Sequence, residues 1–331
     1  MADIALGLDN VVKRYGPVTA LNGLSFEVRQ GEMFGLIGPD GAGKTTTIRL
    51  LCGLLHADGG SVRMLGKDPV ANHAEITQSV GYLSQRFSLY GDLSIDENIA
   101  FFAEIHGVRG YAAARDRLLE MTQLTPFRTR RADRLSGGMK QKLALACTLV
   151  HEPRLLLLDE PTTGVDPVSR REFWKLLSEF RSRGLTIVMA TPYLDEAERC
   201  ARVALLHEGR LLAVDEPSAL QSRLGGQMLE VVADVPRPPV EVLQRTAGAI
   251  DVQTFGDRAH VRVSGDAPTA IAAIEAVLRD AGITPLSVRP VAASLEDVFI
   301  DLITYGDVAN EPQASEPRGR SGDQGAPRGR V

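Results

Sequence analysis

The sequence predicts an α/β protein with a mostly parallel core sheet, followed by a small α+β module. Three observations predict this class. Strand-like apolar runs alternate with helical patterns up to about residue 224. The run LLLLDE at 155–160 is apolar up to its two acids, which is typical of a strand in the middle of a parallel sheet. After residue 226 the predicted order is βαββαβ, which indicates a ferredoxin-like module.

The elements of the larger unit follow in order along the chain. Apolar alternation predicts strands within residues 3–36, and TTTIRLLCGLL predicts a helix that ends at the turn 56–60. We then expect helical segments between 92 and 124 and at 136–150, the strand of LLLLDE, a helix at 169–183 and a strand at 186–190.

The module has its own series of elements. Its predicted strands are 228–235, 249–255, 259–264 and 284–291, and its predicted helices are 238–247 and 268–281. A short helix, SLEDVFIDLI, closes it. We therefore place the domains at 1–224, with a helical subdomain at about 86–150, and at 226–305. Residues 306–331 are rich in Gly, Pro and Arg and are predicted to be a disordered tail.

Composition limits the function classes. The 331 residues are 44% hydrophobic and 24% charged with a net charge of −5, which gives no reason to expect a nucleic-acid partner. The 3 cysteines form no CxxC pair, so neither a zinc site nor a disulfide framework is indicated, and a reducing cytosol fits. No apolar run approaches the roughly 20 residues of a membrane helix. Work at a membrane would therefore require a membrane-embedded partner.

A glycine-rich segment, GPDGAGKTT, lies between a predicted strand and a predicted helix. This is the context of a P-loop, in which backbone N–H groups and the helix N-terminus surround phosphate oxygens. Lys44 should reach the β- and γ-phosphates, and the Thr45 hydroxyl should bind Mg²⁺. The predicted phosphate-binding residues are Gly38, Pro39, Asp40, Gly41, Ala42, Gly43, Lys44, Thr45 and Thr46.

Two acids end the apolar strand LLLLDE. Asp159 could hold Mg²⁺ through water, and Glu160 could orient or deprotonate the attacking water. An apolar run that ends in two acids is weak evidence alone, but it becomes strong beside a P-loop. Together with the P-loop, the pair predicts hydrolysis of a nucleoside triphosphate with Mg²⁺ as a cofactor; the resemblance described next implies that the nucleotide is ATP.

The segment LSGGMKQK at 135–142 resembles the signature of ABC transporter ATP-binding subunits. That resemblance implies a P-loop ABC ATPase domain with a parallel core sheet, an antiparallel β subdomain and a helical subdomain. It also implies that two cassettes dimerise head to tail, so that Ser136, Gly137 and Gly138 close on the partner's ATP. A helix N-terminus of this kind is a second anion site.

Three further residues resemble functional residues of the same family. Tyr15, in VKRYG, resembles the aromatic residue that stacks on adenine. Gln85, in GYLSQRF, resembles the glutamine that contacts Mg²⁺ or the attacking water and moves with the membrane partner. Asp166, in TTGVDP, resembles the aspartate at the dimer seam. The resemblance covers residues 1 to about 220.

Several sequence segments indicate one subfamily. Segments that resemble those of exporters with a separate membrane permease, of the drug or polysaccharide efflux type, are RFSLYGDLSIDENI, TTGVDPVSRREFW, YLDEAERC and SLEDVF. The implied partners are an integral membrane permease and a second cassette, and the implied location is the cytoplasmic face of the cell membrane. The C-terminal module is expected to serve regulation or dimerisation.

Two residues depart from the family pattern. In MATPYLDEAE, Pro192 stands where the family has a histidine that donates to the γ-phosphate, and proline has neither a side-chain donor nor an N–H group. Asp40 stands where asparagine is usual and places a carboxylate beside a polyanion. These departures predict an impaired site on this chain's own P-loop and favour a heterodimer with a competent cassette.

Two other functions remain open. One is a soluble ABC protein acting on ribosomes or nucleic acid, which the single cassette without a coiled-coil insert disfavours. The other is a non-catalytic regulatory subunit, which Pro192 keeps open. His260, Cys147 and Trp174 are interpreted as structural residues in a strand, the core or an interface.

Overall fold

The computed structural model describes residues 3–86 and 89–305. In chain order the strands are β1 Ile4–Tyr15, β2 Val18–Arg29, β3 Met33–Ile37, β4 Gly59–Met64, β5 Val80–Leu83, β6 Leu155–Asp159, β7 Thr186–Thr191, β8 Arg202–His207, β9 Arg210–Asp215, β10 Gln227–Ala233, β11 Ala249–Phe255, β12 Arg258–Val263 and β13 Pro285–Val291. The predicted tail at 306–331 lies outside the described residues.

The α-helices within those described ranges fall between the strands. They are α1 Lys44–Leu51, α2 His73–Ser79, α3 Ile95–Ile105, α4 Ala112–Met121, α5 Gly137–Leu149, α6 Pro167–Ser182, α7 Leu194–Ala197, α8 Pro217–Arg223, α9 Val240–Leu243, α10 Ala267–Asp280 and α11 Leu295–Tyr305. None of them is long and apolar enough to cross a membrane.

The core sheet has the order β5-β6-β7-β3-β8-β9. Its strands pair in parallel except at the β8–β9 edge. Every residue of β3, β6 and β7 is buried, as expected for strands covered on both faces. Because the carboxyl ends of parallel strands share one edge, the chain leaves β3, β6 and β7 on the same side of the sheet. This edge carries the site described below.

Two further layers cover the core sheet. An antiparallel sheet of order β2-β1-β4 shares an apolar cluster with α1 and one face of the core strands. Helices α3, α4 and α5 share a second cluster with the other face. The predicted α/β class with antiparallel and helical additions is confirmed.

The C-terminal module is a four-stranded antiparallel sheet of order β11-β12-β10-β13. Helices α9 and α10 pack on one face through a cluster that includes Leu243 and Ile274. This arrangement confirms the ferredoxin-like class. The helix predicted at 238–247 is shorter than expected, because it begins only after Pro239 and the chain turns through Gly248, whose φ is 80°.

Helix α11 returns to the larger unit. Leu295 and Val298 are buried in the cluster that holds α3 to α5. On its other side, the Asp297 carboxyl lies 3.1 Å from the His260 Nδ1 atom of β12. His260 is therefore a strand residue paired with an acid, in agreement with its structural interpretation. Cys147 and Trp174 are buried in the core, also in agreement.

Candidate functional site

Three glycines of the loop between β3 and α1 occupy positions where a side chain would clash or strain the backbone. A Cβ atom at Gly38 would lie 2.2 Å from the Leu206 carbonyl oxygen, so only glycine allows the loop to pass β8. Gly41 and Gly43 have φ values of 81° and 101°, which L side chains rarely adopt. At Gly43 a Cβ atom would also lie 2.6 Å from Leu21. The loop therefore exposes backbone N–H groups at the start of α1.

Lys44 is buried within this loop, with only 4% of its surface exposed. Its Nζ atom donates to the carbonyl oxygens of Gly38 at 2.9 Å and Pro39 at 3.0 Å. The same atom lies 3.3 Å from Glu160 Oε1. The Lys44 ammonium group is therefore held between the glycine-rich loop and Glu160, the acid that follows β6.

The two acids after β6 lie in different surroundings. Asp159 is buried, and its Oδ1 atom accepts a hydrogen bond of 3.0 Å from the Thr45 hydroxyl. Burial raises the pKa of the Asp159 carboxyl above its usual value. Glu160 has a φ of 50°, an uncommon conformation for a side chain of this kind, and its Oε2 atom accepts a 3.0 Å hydrogen bond from Gln85.

These residues surround one cavity of about 610 Å³. Tyr15 stands at its edge with 45% of its surface exposed. The lining residues are Tyr15, Ala20, Asp40, Gly41, Gly43, Lys44, Thr45, Thr46, Gln85, Glu160, Thr163, Pro192 and Tyr193. Of the predicted residues of the phosphate loop and the end of β6, Gly38, Pro39, Ala42 and Asp159 do not line the cavity. The volume suits a nucleotide-sized ligand.

Three lining residues were not identified from the sequence: Ala20, Thr163 and Tyr193. Thr163 follows Glu160 and donates to its Oε2 atom at 3.5 Å. Tyr193 follows Pro192, and its ring lies 4.7 Å from the Arg170 guanidinium. The signal that the sequence offered for Thr163 and Tyr193 was their closeness along the chain to Glu160 and Pro192, but neither residue matches a motif.

The signature segment forms a second region outside this cavity. Helix α5 begins at Gly137, and the Ser136 side chain accepts a 3.3 Å hydrogen bond from the Met139 N–H group. Ser136 and Gly137 are exposed. Gly138 is buried, and a Cβ atom there would lie 2.1 Å from the Ser169 hydroxyl of α6. The structure therefore does not bring Ser136–Gly138 to the chain's own phosphate loop.

Asp166 also lies outside the cavity. It caps α6 by accepting hydrogen bonds from the N–H groups of Ser169 at 2.9 Å and Val168 at 3.1 Å. The hydrogen bonds from Ser169, followed by that from Val168, hold the pKa of the Asp166 carboxyl below its usual value. The exposed start of α6 therefore carries a stable negative charge near the signature helix.

The oxygen atoms around Thr45 fit a small hard cation. The Thr45 hydroxyl and the Asp159 carboxyl group meet at the carboxyl edge of the core sheet, where burial raises the pKa of Asp159. Mg²⁺ uses one or two such ligands together with phosphate oxygens and water. Over the described ranges, no cluster of three or more His, Cys, Asp or Glu side chains forms a metal site.

Comparison with known proteins agrees with this geometry. Residues 21–163 match the family model described as ABC transporter. The probable multidrug ABC transporter ATP-binding protein YbhF of Escherichia coli is 40% identical over 94% of this chain, which spans about half (54%) of that protein's length. The Nod factor export ATP-binding protein I of Burkholderia lata is 38% identical over 88% of this chain and 95% of its own.

Solved structures give the same result. CbiO1 from Clostridium perfringens, part of the complex cbiONQ, is 27% identical with a TM-score of 0.61 over 67% of this chain and 92% of its own. The ADP conformation of MJ1267, an ATP-binding cassette, is 25% identical with a TM-score of 0.60 over 64% of this chain and 91% of its own. The phosphate loop, the paired acids and these similarities lead to one conclusion: the chain belongs to the ABC transporter family.

Proposed function

We propose that this chain powers an exporter by binding and hydrolysing ATP beneath a separate membrane permease, at the cytoplasmic face of the cell membrane. One observation carries the proposal. The glycine-rich loop and Lys44 line one cavity, and the exposed Ser136 and Gly137 at the start of α5 lie outside that cavity. The names of the relatives, which refer to multidrug transport and Nod factor export, support the direction of transport.

In this proposal each cavity residue has a defined part. The loop from Gly38 to Thr46 binds the phosphates through its N–H groups, and Lys44 neutralises them. Thr45, Asp159 and Gln85 would hold Mg²⁺, which would neutralise charge on the phosphate oxygens. Glu160 orients and deprotonates the attacking water, and Tyr15 stacks on the adenine.

The second anion site serves a companion cassette. The Gly137 backbone is helical, and a Cβ atom there would meet nothing within 4 Å, so packing within this chain does not require glycine. Close approach of an outside group to the α5 N-terminus does require it. Ser136, Gly137 and Gly138 therefore close on the partner's triphosphate, with Asp166 at the seam.

In our proposal, the ATP site on this chain's own phosphate loop turns over more slowly than the site on the companion cassette's loop. Pro192 lines the cavity beside Tyr193 and offers no side-chain donor. Asp40 adds a carboxylate to the same wall. Loss of one transition-state donor typically lowers turnover by about 10²–10³-fold. We therefore favour a heterodimer in which this chain lends its signature helix to a cassette that retains the histidine.

A second cavity supports coupling to the permease. It measures about 450 Å³ and lies between the segment of Gln85 and the N-terminal half of α5. Its lining includes Gln85 and Glu160, so a permease helix seated there would contact the residues that hold the attacking water. Residues 226–305 are proposed to form a separate domain with a regulatory or dimerisation role.

Phosphate release by the purified chain tests the impaired site. We expect slow turnover alone, and at least a tenfold rise on Pro192→His, because the imidazole restores a donor on the γ-phosphate side. Pro236→His, at an exposed position in the C-terminal module, is the matched control. Brisk turnover that Pro192→His leaves unchanged would contradict the impaired site. Absence of turnover in every combination with a second cassette would favour a non-catalytic subunit.

A further inference from the structure

Glu196 is a fully buried acid that none of the site motifs includes. It lies on the short helix α7, and none of its surface is exposed. Its Oε1 atom accepts a 2.6 Å hydrogen bond from the Thr162 hydroxyl, and its Oε2 atom accepts one of 2.7 Å from the Thr191 hydroxyl. A buried carboxyl group that receives short hydrogen bonds on both oxygens fixes the groups that donate them.

The two threonines belong to the two loops that form the phosphate end of the cavity. Thr162 lies between the lining residues Glu160 and Thr163. Thr191 ends β7 and directly precedes Pro192. The Thr191 hydroxyl also accepts a 3.1 Å hydrogen bond from the Tyr193 N–H group. A single side chain therefore links the loop of the proposed base to the loop at the γ-phosphate end.

Helix α6 is joined to the same carboxyl group. The indole N–H group of Trp174 donates to Glu196 Oε1 at 3.4 Å. The Arg170 Nε atom lies 3.8 Å from the same oxygen and has no hydrogen-bond partner among the described residues, while its guanidinium lies over the Tyr193 ring. Because Arg170 lies in the first turn of α6, which Asp166 caps, the links from Glu196 extend from the cavity to the start of α6.

We propose that Glu196 is a positioning residue that ties the loop of residues 191–193 to the loop of residues 160–163 and to α6. It does not touch the nucleotide. In this proposal a γ-phosphate in the cavity displaces the 191–193 loop, and Glu196 passes that displacement to Trp174 and α6. This inference rests on the proposed ATP site, and it adds a link from that site to the proposed dimer seam.

Trp174 is the only tryptophan of the sequence, so its fluorescence reports on this network without labelling. The full chain is titrated with Mg·ADP and with a non-hydrolysable Mg·ATP analogue. We expect the analogue to change Trp174 emission and ADP to change it much less, because only the analogue occupies the γ-phosphate end. This readout requires no turnover, so it can be measured even where the site hydrolyses ATP slowly.

Paired variants separate positioning from loss of folding. In Glu196→Gln the amide keeps the size of the side chain but turns one acceptor into a donor. Thr191→Val removes the bridging hydroxyl, whereas Thr191→Ser retains it. We expect Glu196→Gln and Thr191→Val to lose the difference between analogue and ADP, with ADP affinity within about threefold of the parent. Thr191→Ser and Glu198→Gln, the latter at an exposed position two residues on, should keep the difference.

Two results would overturn the inference. One is a parent chain that binds both nucleotides but shows the same emission with each. The other is full retention of the difference in both Glu196→Gln and Thr191→Val. A parent chain that binds neither nucleotide would instead contradict the proposed ATP site, so the two failures are distinguishable.

Discussion

Gly43 shows how far one backbone position determines the site. Its φ of 101° is unfavourable for any L side chain, and a Cβ atom would press on Leu21 and lie 2.9 Å from the Ala20 carbonyl oxygen. Ala20 itself lines the cavity. Any side chain at position 43 therefore displaces the phosphate loop from the wall it rests on.

We expect Gly43→Ala to lower the affinity for a fluorescent ATP analogue by at least about tenfold while the chain stays folded, because the loop N–H groups no longer converge. The matched control is Gly184→Ala. Gly184 has a similar φ of 93° but lies away from the loop, and nothing stands within 4 Å of its Cβ position. Equal affinities for the two variants would contradict this account of the loop.

At the scale of elements, a pair of histidine rings joins the end of α3 to the segment after α5. The rings of His106 and His151 stack with centroids 3.9 Å apart. Burial, and then the neighbouring His106, lowers the pKa of His151 from 6.5 to about 4. The His151 Nδ1 atom is buried and has no hydrogen-bond partner within the part of the chain that the structure describes. Protonation of this ring therefore opposes the packing of the helical layer.

The pKa of His151 predicts the sign of an acid effect on stability. The unfolded chain binds a proton more readily than the folded one between pH 6.5 and about 4, so the free energy of unfolding should fall as pH drops through this window. His151→Phe keeps a ring against His106 and should reduce that fall. Urea unfolding at pH 7 and near pH 5 measures it, with His73→Phe at an exposed position as the control. An unchanged pH slope in His151→Phe would contradict the prediction.

Local patterns explain which elements the sequence could predict. The β3–loop–α1 unit and the apolar strand β6 follow from glycine positions, anion chemistry and uninterrupted apolar residues within short windows. The βαββαβ order was predictable for the same reason. The short length of α9 was not predictable from its helical pattern, because Pro239 and Gly248 limit the helix. The hydrogen bond between Thr162 and Glu196, 34 residues apart, forms only when β6 and β7 pair, so no local pattern indicates it.

At the scale of the whole molecule, the cradle and the signature helix face different surroundings. The cradle lies at the carboxyl edge of the core sheet, while Ser136 and Gly137 are exposed at the start of α5 and line no part of that cavity. Within one chain, therefore, the start of α5 does not cover the phosphate loop, and the exposed start of α5 has no phosphate loop facing it. In the proposed assembly a second cassette supplies both missing contacts, and this is the central claim.

Gly137→Asp tests this claim most directly. An acid in the first turn of a helix favours the helix and does not disturb the fold, but at this place it would repel a partner's triphosphate. The measurement is phosphate release by the assembled membrane complex, with nucleotide affinity of the isolated chain as the baseline. We predict unchanged affinity in the isolated chain and a loss of turnover in the complex of about 10²-fold or more. Undiminished turnover of a complex carrying Gly137→Asp would contradict the account.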